Sequence, residues 1–273
     1  MREDEAIRRR VLSSTINRNR PDGTLNQVIK NQAIKNILST LLGYPTYDRR
    51  LAVSDRSCVL ATVNPAPTGK IVISSPGFKG SRDGYQNKYR KVARWIQQLH
   101  IAAFIRYEIV WLTDNMMDSY ENEICQALRV VIGYALAEAA EICQTSDPEI
   151  YLAGFSAGAS ASAVVSPEYN QVKRLLLIAP TIDAGREKLQ QALPTYQGDL
   201  YITVGDLDYI SEMTPEMMIQ LSTSAQKIRL VEVENCDHQW TGKTNGRILS
   251  KSFIWAFNND ETYPCPEGGV ELY

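Results

Sequence analysis

Histidine is scarce in this chain: His100 and His238 are the only two. A histidine-built metal centre is hard to assemble from two such residues, and any imidazole base must be one of them. Cysteine offers little more. Cys58, Cys125, Cys143, Cys236 and Cys265 are odd in number, widely scattered and never form a C-x-x-C pair. That makes a poor disulfide framework and a poor zinc site, and it suits a reducing, cytoplasmic setting. As a small buried hydrophobe, each cysteine needs no further role. An excess of positive charge is missing too: 29 Lys and Arg stand against 31 Asp and Glu, a net charge of −2. A dedicated nucleic-acid binder would need a basic face to displace condensed counterions, so no nucleic-acid partner is expected. No apolar run approaches the roughly 20 residues of a membrane-spanning helix, so no membrane partner is expected. The opening stretch Met1 to Arg10 is charged, without the apolar segment of a signal peptide. Internal repeats and low-complexity tracts are absent as well.

What is present is an alternation. Short apolar runs at 58–63, 70–74, 102–107, 149–153, 174–178, 200–204 and 228–233 read as strands. Most are unbroken Val, Ile, Leu, Ala and Tyr, as expected of strands covered on both faces in a mainly parallel sheet. Helical patterns lie between them at 89–99, 120–145, 157–165, 186–193, 215–225 and 246–257. The fold class is therefore α/β, a doubly wound and mainly parallel sheet built from right-handed crossovers. In such a sheet ligands bind beyond the carboxyl ends of the strands, so chemistry belongs in the loops that follow them.

The first 50 residues do not share this rhythm. Thr24-Leu25-Asn26-Gln27 reads as a capping box opening a helix. Leu25, Val28, Ile29, Ile34, Ile37, Leu38, Leu41 and Leu42 fall largely on one stripe of it, and Gly43 closes it. Residues 1–50 hold ten Lys and Arg against five Asp and Glu, a charge of +5. The expected division is a helical extension over 1–50 and a domain of the alternating α/β pattern over 51–273. The stripe can pack on its own domain, act as the arm of a homodimer, or serve as a lid.

The chemistry centres on Gly154-Phe155-Ser156-Ala157-Gly158, directly after the 149–153 strand and followed by Ala159-Ser160-Ala161-Ser162-Ala163. This is G-x-S-x-G at a strand-to-helix junction. A nucleophile in so sharp a turn needs neighbours without bulk two positions before and after it. The small residues that follow let the helix lie close to the sheet, its N-terminus beneath the developing oxyanion. A hydroxyl needs an adjacent base. His100 ends a helical pattern and precedes a strand, at the wrong end of the sheet. His238, in Glu234-Asn235-Cys236-Asp237-His238-Gln239-Trp240, follows the last strand on the correct side. A carboxylate should hold the imidazole. Asp206 and Asp208 both lie in the turn after the 200–204 strand, and Asp183 is a weaker third candidate; any of them could be an ordinary turn aspartate. Serine, then acid, then histidine is the chain order expected of this architecture.

On these motifs, and on Ser75-Pro76-Gly77-Phe78-Lys79-Gly80-Ser81 after the 70–74 strand, the chain resembles the α/β-hydrolase superfamily from about Ser57 to Asn259. The resemblance implies Asp208 as the acid, three residues after the turn glycine, and the backbone N–H groups of Phe78 and Ala157 as the oxyanion hole. It departs from the family where Pro76-Gly77 replaces a common His-Gly, so that loop must be braced from elsewhere. His238-Gln239-Trp240-Thr241-Gly242 resembles the loop of small, capless esterases. About twenty residues separate the strands ending at Ile178 and beginning at Leu200, too few for a cap domain. A shallow site follows, with Phe78, Met116, Met117 and Trp240 as lining or as simple packing. The resemblance implies a serine hydrolase cleaving a carboxylic ester, with a small-molecule acyl substrate and no metal or organic cofactor. The same triad would serve a thioesterase, peptidase or amidase, and a non-catalytic binding protein is the reading of a different class.

Overall fold

The computed structural model describes residues 44–113, 117–211 and 213–258. Among them the strands are β1 Tyr47–Ala52, β2 Ser57–Asn64, β3 Lys70–Ser75, β4 Ala103–Trp111, β5 Glu149–Phe155, β6 Val172–Ile178, β7 Asp199–Gly205 and β8 Lys227–Val233. The helices, numbered along the chain, are α1 Lys88–Gln98, α2 Tyr120–Ala137, α3 Ala139–Cys143, α4 Ala157–Val165, α5 Arg186–Ala192, α6 Thr214–Leu221 and α7 Lys243–Phe257. One sheet holds all eight strands in the order β1-β2-β4-β3-β5-β6-β7-β8. β1 and β2, and β2 and β4, pair antiparallel; every pairing from β4 through β3 to β8 is parallel.

The parallel strands are buried on both faces because alternate side chains feed two cores. Ile71, Ile73, Leu152, Leu175, Leu177 and Ile202 join one core with α2 and α4. Val72, Phe104, Tyr151, Leu176 and Tyr201 point the other way, against Val92 and Ile96 of α1 and Phe253 and Trp255 of α7. β8, at the edge, alternates exposed and half-buried residues until Val233.

The structure departs from the sequence pattern in three places. β1, Tyr-Asp-Arg-Arg-Leu-Ala, sets only Tyr47 and Leu51 against the core with three charged residues between them, too weak an alternation to read as a strand, yet it pairs along its length with β2. It begins at Tyr47, so the sheet starts before the expected boundary at residue 50. Its charges blunt an edge that would otherwise template association. Secondly, the helix expected over 120–145 breaks at Glu138, where α2 ends and α3 begins. The bend turns the carbonyls of Ile142 and Cys143 toward the loop before β3, where they accept from the N–H groups of Ala66 and Gly69 at 3.0 and 2.9 Å. Thirdly, the helix expected from Gly246 starts three residues earlier, at Lys243. The apolar stripe of Leu25 to Leu42 lies outside the described residues. Among the described residues no helix is long and apolar enough to cross a membrane.

Candidate active site

The parallel strands end on one side, and four of the loops that leave them build the site. The first is the elbow. Ser156 has φ 54° and ψ −121°, a conformation costly for a residue with a side chain. It is held because its N–H donates to Ile178 at the end of β6, 2.9 Å away, while its carbonyl accepts from Ala159 and Ser160 in the first turn of α4. The flanking glycines make this possible. A Cβ on Gly154 would sit 2.4 Å from the Cα of Ala159, and one on Gly158 2.4 Å from the carbonyl oxygen of Pro76. Every residue of α4 is buried, and the Ala and Ser composition is what lets it approach so closely.

The second loop follows β3. Gly77 to Gly80 is a tight turn closed by the Gly80 N–H on the Gly77 carbonyl at 2.9 Å, with Lys79 at φ 51°. Its bracing, which the sequence left open at Pro76-Gly77, comes from aromatic packing. The Phe155 ring lies directly beneath Gly77, and the Phe78 ring meets Tyr120 edge-on at 5.0 Å. Among the described residues the Phe78 N–H has no hydrogen-bond acceptor. Ala157 opens α4, so its N–H likewise has no carbonyl a turn earlier.

The third and fourth loops follow β7 and β8. His238 Nε2 lies 3.0 Å from Ser156 Oγ, and its Nδ1 lies 2.9 Å from each carboxylate oxygen of Asp208. Asp208 Oδ1 also accepts from the backbone N–H groups of Ile210 and Ser211 at 3.0 and 2.9 Å. Burial pushes the Asp208 carboxyl up, but the hydrogen bonds from His238 and Ser211 outweigh it and hold the group below the usual carboxylate range. Ser156, Asp208 and His238 are all largely buried. Asp206 turns away: its Oδ1 accepts from the Cys236 N–H at 3.1 Å and ties the two loops together. Asp183 instead accepts from the Thr181 hydroxyl. His100 is exposed at the turn that ends α1.

Of the expected lining residues, Phe78 and Met117 are exposed, and Met116 lies outside the described residues. Trp240 is not lining. It is buried in the core shared by α1 and α7, because the backbone at φ 55° turns it inward. A cavity of 20 Å³ adjoins the elbow, walled by Gly77, Tyr107, Trp111, Tyr120, Gly158 and Ala161.

Three contacts escaped the sequence pattern. Ser211 Oγ stands 3.4 Å from His238 Nδ1. The Phe155 ring packs on the imidazole at 5.5 Å. Asp237 Oδ1 accepts from the Thr241 N–H at 2.8 Å and shapes the histidine loop; this bond and others from that loop's backbone hold its carboxyl below the usual range. An aspartate two or three residues before an acceptor-seeking N–H signals such turns, and Asp208 carries that signal; the Asp237 bond spans four residues and lies outside it. The packing of Phe155 has no local signal.

No family model and no curated protein matches the sequence. Solved structures do match the fold. A dienelactone hydrolase from Anabaena variabilis has 17% identity and a TM-score of 0.60, over 78% of this chain and 98% of that one. Est1E from Butyrivibrio proteoclasticus has 14% identity and a TM-score of 0.56, over 75% and 95%. The Pyrococcus furiosus esterase Pf2001 has 11% identity and a TM-score of 0.60, over 80% and 96%. With the strand order, the elbow at Ser156 and the loops after β7 and β8, these likenesses mean that the chain has the α/β-hydrolase fold.

Proposed function

We propose that this chain is a serine hydrolase that cleaves a carboxylic ester by transferring its acyl group to water. The reading rests above all on one observation, the continuous hydrogen-bonded run from Ser156 Oγ through His238 to Asp208. Ser156 Oγ attacks the ester carbonyl while His238 Nε2 takes its proton. The negative charge then moves to the carbonyl oxygen, where the Phe78 and Ala157 N–H groups receive it. Collapse breaks the bond to the alcohol, which leaves with the proton from Nε2, and an acyl-serine remains. Water repeats the sequence, giving its proton to Nε2 as it attacks, and releases the acid and free Ser156. Asp208 stays ionised throughout, orienting the imidazole and stabilising its charged form.

The similar structures carry the names of esterases and a dienelactone hydrolase, which supports ester cleavage over thioester or amide cleavage. No cofactor enters any step. The four described cysteines are free and buried, which supports the cytoplasmic setting. The test is a fluorophosphonate label followed by peptide mapping. The label should sit on Ser156 and vanish in Ser156→Ala with the fold intact. A label elsewhere, or equal hydrolysis of p-nitrophenyl acetate by both proteins, refutes the reading.

A further inference from the structure

The segment from Lys79 to Lys88, which follows the Gly77–Gly80 turn, carries four charged groups, three cations and one anion, and their pairing is uneven. Arg82 reaches Asp48 at 3.4 Å and Glu108 at 3.8 Å. Asp83 pairs with Arg106 at 2.7 Å. Lys79 and Lys88 are left, and among the described residues neither has a carboxylate partner. Lys79 is exposed and can be satisfied by water. Lys88 cannot be satisfied so fully. It is only partly exposed, it has no hydrogen-bond acceptor among the described residues, and burial lowers its ammonium to about 8 with no acid opposing the shift.

Its position is what makes this informative. The Lys88 Nζ stands over the Phe155 ring, 5.1 Å from the centroid. The same ring packs on His238 at 5.5 Å and underlies Gly77 of the oxyanion loop. One side chain, next in sequence to the nucleophile, thus joins the unpaired cation to the base. An ammonium held partly out of water without an anion costs free energy. A ligand that brings the anion would recover it.

We propose that Lys88 is the cation of a substrate subsite, and that it recognises a carboxylate carried by the ester. The preferred substrates are then monoanionic esters rather than neutral ones. This rests on the serine-hydrolase reading of the same site. The residue sets specificity; it takes no part in the proton transfers.

The test compares p-nitrophenyl hydrogen succinate, a monoanion, with neutral p-nitrophenyl butyrate. The full-length enzyme should favour the monoanion in kcat/KM. Lys88→Met should lower the ratio of the two by about ten- to a hundredfold, the worth of one charged hydrogen bond, and Lys88→Arg should keep it. A ratio equal in wild type and Lys88→Met overturns the subsite. Binding is tested separately, on full-length protein with ¹³C-methylated lysines and the Lys88 signal assigned by its loss in Lys88→Arg. Monomethyl succinate should shift that signal saturably, and dimethyl succinate should not. If neither ester is turned over, the hydrolase reading fails, and this binding result still decides the subsite. No shift with monomethyl succinate overturns it. An equal shift with inorganic phosphate also overturns it, since any anion would then serve.

Discussion

Asp206 and Asp208 stand two residues apart after β7 with identical chemistry, and their neighbours divide the work between them. Asp208 holds His238 Nδ1, whereas Asp206 holds a backbone N–H of the next loop. Asp208→Asn places an amide where a charge is needed, and kcat should fall on the order of 10⁴. In Asp206→Asn the amide oxygen can still accept from Cys236, so kcat should stay within about tenfold; steady-state kinetics on a short ester ranks the two. Lys88 yields a prediction about stability. Its folded pKa of about 8 lies below the unfolded value near 10.4. Between these limits the unfolded chain binds more protons, so the folded state gains as pH rises through that window. Below pH 8 the charged ammonium is a full cost. Lys88→Met keeps the stem and removes the charge, so at pH 7 it should stabilise the fold by on the order of 1 kcal/mol, the group being still partly solvated. The gap should shrink as pH climbs from about 8 to about 10.4. Urea melts across that range check it, and a gap that does not change with pH would show that the charge is not its source.

At the scale of elements, α4 and the Gly77–Gly80 turn constrain each other. Gly158 faces the carbonyl oxygens of Pro76 and Ser75, where an added Cβ would meet them at 2.4 and 2.5 Å. These are backbone atoms at the end of β3, so nothing flexible can give way. Gly158→Ala should therefore push the Gly77–Gly80 turn outward and destabilise the fold by about 1–3 kcal/mol. It should also lower kcat by about 10²–10³, as the loss of one oxyanion donor does. Thermal melts and kcat on p-nitrophenyl acetate measure the two effects. A variant that loses stability and keeps full kcat would detach the turn from the oxyanion step. The break between α2 and α3 is a second case of one element shaping another: carbonyls that would have continued a helix serve instead to hold the turn before β3.

For the molecule as a whole, the sheet begins at Tyr47. Deleting residues 1–43 removes none of the described strands and none of Ser156, Asp208 and His238. The expected product is a soluble chain that keeps esterase activity on short acyl chains. Burial of the Leu25 to Leu42 stripe in a second copy would make that product smaller in sedimentation than the full chain, since a stripe of that size is rarely left in water. A lid would leave the assembly unchanged and alter the preference for acyl chain length. An insoluble truncation would show that the stripe belongs to the core of its own domain.

By itself the sequence determined the parts whose cause is local. Six of the strands, β2 to β7, and the doubly wound sheet follow from apolar runs long enough to be buried on both faces, and β8 follows from an apolar run at the open edge. The elbow follows from Gly154 and Gly158, whose spacing around Ser156 only a close backbone approach requires. The scarcity of histidine left His238 as the one imidazole placed where the carboxyl ends of the strands gather. Contacts between distant segments were decided by the tertiary structure alone. β1 is a strand because β2 offers it partners, since Tyr47 and Leu51 alone are too weak an alternation to signal one. The residues alone left Asp206 and Asp208 open, with only the resemblance choosing Asp208; the contact itself depends on where the β8 loop places His238, a matter of two chain segments meeting. Trp240 left the candidate pocket for the core because its backbone turns inward. Lys88 became notable only when the fold set it over Phe155 and gave the nearby acids to Arg82 and Arg106. Pairing of charges is a property of three-dimensional neighbours, and no spacing along the chain records it.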